Sequence, residues 1–222
     1  MLKDDQATFE AQLADFPHTF QDQFLKRLLP NKLKQLTSGL ESALSVGHET
    51  GLETARARNL LAFVQWHLNR PDEALQQLDH VLGMEDQRNN LVTLANKAVI
   101  LWRQGCFSDA EDQVKSLRHI QENDEDFQYL VVKAKAELAF TYTRLGPAFS
   151  PSAISAFTQV LKEAREPEKW LWKFGLALTR RRSLRAKPQL SSTKLDTDTD
   201  KECRDLLQLF LDITKYLCKS KG

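Results

Sequence analysis

Long apolar runs are scarce in this chain, as are glycine, proline and paired cysteine. No uninterrupted apolar run exceeds about half a dozen residues, Leu60 to Val64 being typical, whereas a membrane span needs about 18 or more. A membrane-spanning protein is thereby excluded. The opening Met1-Leu2-Lys3-Asp4-Asp5 carries acids where a secretory signal needs a basic and then an apolar stretch, so a cytoplasmic address is expected. Cys106, Cys203 and Cys218 are odd in number and have no CxxC spacing, which argues against a disulfide framework and a zinc site and predicts reduced structural thiols. There is no GxGxxG after a strand, no Walker lysine motif and no HExxH. His18, His48, His67, His80 and His119 are dispersed, and no cysteine has an identifiable activating neighbour, so neither catalysis nor a cofactor or metal is expected.

What remains is a composition rich in Leu, Ala, Gln, Glu and Lys, with only eight glycines and seven prolines in 222 residues and no period-two Val/Ile runs. This predicts an all-α fold. The helical pattern also repeats. Ala62 is followed twelve positions later by Ala74, Ala98 by Ala110, and Ala139, across a turn two residues longer, by Ala153. A fourth helix, Trp170 to Arg182, aligns Ala177, and the spacings between positions 62, 98, 139 and 177 are 36, 41 and 38. These lie slightly above the ~34 of a tetratricopeptide helix pair, and a small residue at each crossing lets two antiparallel helices pack tightly.

Helix starts are predicted at Pro71, at Ser108-Asp109-Ala110-Glu111 as a capping box, and at Ser150-Pro151 as an N-cap before an N1 proline. The expected organisation is N-terminal helices over 1–50 (Ala7 to Asp15, Thr19 to Leu29, Asn31 to Leu44), with Gly47 to Gly51 leading into repeats over 51–185. A flexible loop follows over 186–201, within which Pro188 to Thr199 is polar, and then a capping helix over 202–222, built on Glu202 to Leu217. The fold class is thus an α-α solenoid of helical hairpins with additions at both ends.

A near-zero net charge hides a local excess. Lys169 to Leu195 holds eight basic residues and no acid, while Gln121 to Asp126 holds four acids. The residue five after each repeat alanine is His67, Arg103, Arg144 and Arg182, and in a tetratricopeptide stack that position faces the concave surface near the end of the first helix. Arg181 neighbours the last of these, Lys133 is expected on the same face of its helix, and Trp66, Trp102, Phe140 and Phe174 interleave. Cations near a helix C-terminus are favoured anyway, by ~0.3–1 kcal/mol. Arginines beside aromatic rings nevertheless suit a single-stranded nucleic acid, with phosphates on the guanidinium groups and bases stacked on the rings.

Asn59-Leu60-Leu61-Ala62-Phe63-Val64, Glu73-Ala74-Leu75, Asn90 to Asn96 (NLVTLAN) and the expanded turn before Ala153-Ile154-Ser155-Ala156-Phe157 together resemble the N-terminal part of the interferon-induced proteins with tetratricopeptide repeats, over about residues 10 to 183. That resemblance implies an antiviral protein holding the 5′ end of foreign RNA in a positive helical tunnel without catalysis. Gly175 to Thr179 followed by Arg182 is similar to the family segment ending in a phosphate-contacting arginine, and Thr37 corresponds more loosely to a threonine lining the 5′-end pocket. The lysine and tyrosines of the family's expanded turn are Ala148, Phe149 and Ser150 here.

The expected RNA-binding residues are accordingly Arg103, Arg144, Arg181, Arg182, Arg185 and Lys133, with Trp102 and Phe140 as stacking surfaces and Thr37 in the pocket. The other reading is a protein-interaction scaffold that grips a peptide or helix, or self-associates through its repeats. For a clamp on acidic C-termini only Asn96 and Lys133 approximate the required residues.

Overall fold

A computed structural model describes residues 2–20, 30–46, 51–165 and 168–185. Among these the protein is all-helical, with no strand: α1 (Leu2–Leu13), α2 (Pro30–Val46), α3 (Gly51–His67), α4 (Pro71–Leu82), α5 (Leu91–Arg103), α6 (Phe107–Asn123), α7 (Phe127–Leu145), α8 (Ser150–Val160) and α9 (Glu168–Arg185). Short 3-10 turns occupy Glu85–Gln87 and Pro147–Phe149. No described helix is long and apolar enough to cross a membrane. The chain divides into two compact units after Thr141, so α7 begins in the first and ends in the second.

In the first unit sequence neighbours pack on one another, α2 on α3, α3 on α4, α4 on α5 and α5 on α6, and α3 also meets α5. The repeat alanines sit where the spacing requires them. Ala62, Ala74, Ala98 and Ala110 are each 0% exposed, and Leu61, Phe63, Leu78, Ile100 and Leu117 are fully buried in the same unit. A methyl group at a helix crossing lets the backbones approach, and the larger neighbours supply the apolar area that holds the pair. In the second unit α8 packs on α9, with Ala153, Phe157, Trp172 and Ala177 fully buried.

The turns repeat as well. Asn69 (φ 60°), Gly105 (φ 83°) and Gly146 (φ 113°) are the described residues with positive φ, and each stands seven positions after a repeat alanine. At the first two, the amide of the next residue reaches back across the turn, Arg70 N–H to the Gln65 carbonyl and Cys106 N–H to the Leu101 carbonyl, both at 3.0 Å. These are Schellman closures, which need a left-handed residue and satisfy the orphan carbonyls of the helix end.

Of the three expected capping signals, one holds and two differ. Pro71 opens α4 as predicted. The capping box at Ser108 does not form, because Cys106 is the N-cap of α6 and Ser108 lies inside its first turn. The Schellman closure at Gly105 fixes the chain's entry two residues earlier. Ser150 is the first residue of α8 rather than its cap, the N-cap being Phe149 at the end of the 3-10 turn. Conversely, the Asn90 side chain accepts from Thr93 N–H at 3.0 Å and caps α5. Gly51 is already helical, and Thr19 and Phe20 form a turn instead of opening a helix. Most of the expected Thr19 to Leu29 helix, the Pro188 to Thr199 loop and the Glu202 to Leu217 helix lie outside the described residues.

Candidate functional site

Three helices, α3, α5 and α7, share a buried polar chain in the first unit. Asn59 of α3 donates through Nδ2 to Glu137 Oε1 of α7 at 2.7 Å and accepts through Oδ1 from Thr93 Oγ1 of α5 at 3.0 Å. Asn90 Nδ2 lies 3.5 Å from Glu137 Oε2. Asn59, Thr93 and Glu137 are all buried. Burial pushes the Glu137 carboxyl above its usual range, against the opposing pull of the Arg56 charge and the two asparagine hydrogen bonds. Arg56 in turn spreads its guanidinium over the Phe140 ring, 4.4 Å from the centroid.

Beside this chain, the face of α3 and α5 is occupied by residues that precede both. After α1 the backbone runs irregularly through Phe16-Pro17-His18-Thr19-Phe20, of which all but His18 are buried. Asn96 Oδ1, on α5, accepts from Thr19 N–H at 2.9 Å and from Thr19 Oγ1 at 2.8 Å. Because the Thr19 amide is necessarily a donor, the oxygen of Asn96 must face it, which fixes the orientation of that side-chain amide. Phe20 lies edge-on to Phe63 at 5.3 Å and to Trp66 at 6.5 Å, and packs against His67 at 5.9 Å. Arg103 sits over its ring at 5.2 Å. Phe16 meets Phe127 edge-on at 6.1 Å, under the Arg118 guanidinium. A cavity of about 820 Å³ opens alongside, lined by Phe9, His18, Phe20, Trp102, Arg103 and Glu111 among others.

His67 and Arg103, two consecutive members of the expected ladder, are therefore brought together, around a ring of the protein itself. Trp102 stacks on Phe9 at 4.2 Å with an interplanar angle of 8° and takes the edge of Phe107 at 4.7 Å. One face of Phe140 is covered by Arg56, and the half-buried Lys133 lies 5.3 Å from the Tyr129 ring. Thr37 is buried in α2 and spends its hydroxyl on the Leu33 carbonyl at 3.1 Å. Burial first, and the Arg103 charge second, lower His18 and His67 from 6.5 to about 4, so both rings are neutral at neutral pH.

The second unit carries the other predicted cations. Arg144 is exposed in the last turn of α7, Lys173 and Arg182 are exposed on α9, and Arg180 and Arg181 are half-buried there. Arg185 is the last residue of α9, and its side chain lies outside the described set. After Glu168, α9 contains no acidic residue.

The sequence assigns no role to Asn59, Thr93, Glu137 or the Phe16–Phe20 segment, and Asn96, which approximates a clamp residue for acidic C-termini, instead accepts from Thr19. The signal available was weak: polar residues a few positions before the repeat alanines, and two phenylalanines flanking Pro-His-Thr. Among the described residues, no group of three or more His, Cys, Asp or Glu is placed to hold a metal ion. No model of a known protein family matches this chain, and no curated protein matches it.

Proposed function

We propose that this is a non-catalytic, cytoplasmic RNA-binding protein of helical hairpins of the tetratricopeptide kind, related to the interferon-induced repeat proteins, and that α9 supplies its main phosphate-holding surface. The repeat assignment is supported by the shared register of buried alanines and left-handed turn residues. The observation that carries the RNA reading is the charge of α9: Lys169, Lys173, Arg180, Arg181, Arg182 and Arg185 on one helix with no acid after Glu168. Such a helix attracts a polyanion over a Debye length of about 8–10 Å, and each neutralised phosphate releases counterions. Arg103 contributes less, because its guanidinium lies over Phe20.

The test is the affinity of the full chain for short single-stranded RNA with a 5′-triphosphate, followed by anisotropy across a salt series. Lys173→Glu with Arg182→Glu is expected to weaken binding at least tenfold and flatten the salt slope by about two. Arg103→Glu is expected to change it less than threefold. Binding that ignores the α9 reversals refutes this reading. The scaffold reading is favoured by a different observation, the capture of Thr19 and Phe20 by α3 and α5.

A further inference from the structure

The contact between Asn96 and Thr19 has the chemistry of peptide recognition. A side-chain amide in the middle of a helix takes the main-chain N–H of an irregular segment, and aromatic residues four apart, Phe16 and Phe20, are buried on either side of that contact. Main-chain hydrogen bonds with alternating aromatic anchors are how grooves bind extended peptides. We propose that the face of α3 and α5, continued at Phe16 by Phe127 of α7 and Arg118 of α6, is a recognition site for a partner peptide of this pattern, two aromatic residues four apart around a Pro-x-Thr core, and that residues 16–20 are its resident competitor. This concerns the first unit alone and stands or falls independently of RNA binding at α9.

Two further observations separate a replaceable occupant from a permanent piece of core. First, residues 16–20 leave the polar groups around them incompletely satisfied: Asn96 Nδ2, His67 Nε2 and His18 Nδ1 are buried without a hydrogen-bond partner among the described residues. Each such atom forfeits its hydration without recompense, and native cores seldom tolerate several together. An extended peptide presents a carbonyl as well as an N–H to an asparagine, so a longer ligand pairs the Nδ2 that Thr19 leaves unused. Second, the cavity of about 820 Å³ beside His18, Phe20 and Arg103 gives that ligand room the resident segment does not fill. Full satisfaction of a buried amide favours the incoming chain, whereas tethering favours the resident one, at an effective concentration on the order of millimolar.

A fluorescein-labelled peptide of residues 14–20, Ala-Asp-Phe-Pro-His-Thr-Phe, tests this in trans by anisotropy on the full-length protein. The wild type is expected to bind it weakly, because the tethered copy competes. Phe20→Ala, which empties the aromatic pocket, is expected to bind at least tenfold more tightly, and adding Asn96→Leu is expected to abolish that gain. A folded Phe20→Ala protein that takes up the peptide no better than wild type, or equally well with Asn96→Leu, overturns the proposal. Should Phe20→Ala not fold, hydrogen exchange on the wild type decides. Millimolar unlabelled peptide is expected to speed exchange of the Thr19 amide at least threefold by displacing its segment, and unchanged protection overturns the proposal.

Discussion

Replacing Asn59 by alanine should be the most damaging single change in the first unit outside its apolar core. The side chain is fully buried and bridges three helices, donating to Glu137 at 2.7 Å and accepting from Thr93 at 3.0 Å. A hydrogen bond to a buried carboxylate contributes about 1.5–3 kcal/mol and a neutral one about 1 kcal/mol, and removing one partner strands the others in a site water does not reach. Asn59→Ala is therefore expected to cost about 3–4 kcal/mol. Native-state hydrogen exchange at the α5 amides of Val99 and Ile100 reads this directly, as a fall in protection of about 100- to 1,000-fold. Glu137→Gln keeps the shape and an acceptor for Asn59 while removing the acceptor for Asn90 and the charge that attracts Arg56, against the relief of a charge that burial disfavours, so it is expected to cost about 1–2 kcal/mol, less than Asn59→Ala. The pair of variants isolates the cause. If Asn59→Ala costs under about 1 kcal/mol, or Glu137→Gln costs as much as it does, the chain of bonds across α3, α5 and α7 is not what holds those helices in register.

The two Schellman turns should respond with opposite signs to the same kind of exchange. Gly105→Ala is expected to lose about 1–2 kcal/mol, since a methyl there meets no atom within 4 Å and only the left-handed backbone resists it, whereas Asn69→Gly is expected to be neutral or to gain up to about 1 kcal/mol; urea midpoints of the two variants check both. Acid should loosen the docked N-terminal segment. His18 and His67 are held near 4 against an ordinary 6.5, so between those values the unfolded chain binds protons that the folded one refuses, and stability falls as pH falls. For His18 this amounts to about 2 kcal/mol at pH 5, with a smaller share from the more exposed His67. Glu137, raised by burial, acts in the opposite sense, its contribution being lost as pH rises, so the measurement is the difference between wild type and His18→Gln at pH 7 and pH 5. A wild type no more acid-sensitive than His18→Gln contradicts the burial of that ring.

Helices and their hairpin pairing were readable because they follow from local chemistry. Helix propensity, the scarcity of glycine and proline, and alanines twelve apart each act over one or two turns, and all five first-unit repeat alanines, Ala62, Ala74, Ala98, Ala110 and Ala139, are fully buried. Helix boundaries were read less well at Ser108 and Ser150, where the preceding turn decides which residue becomes the cap. Periodicity reports which face a residue of the expected ladder occupies and says nothing of what covers that face. His67 and Arg103 do share a face, and it is Phe20, 47 positions from one and 83 from the other, that lies against them.

By itself, then, the order of residues determined the helices, the crossings at Ala62, Ala74, Ala98 and Ala110, and the concentration of positive charge on α9. Only tertiary structure decided that Asn96 binds the backbone of Thr19, that Trp102 stacks on Phe9, and that Glu137 is shut away with Asn59. The division has one physical cause. Propensity, capping and small-residue spacing are interactions between near neighbours and leave a periodic trace, while burial of a polar group depends on partners dozens of positions away, whose choice is set by the free energy of the whole packed unit.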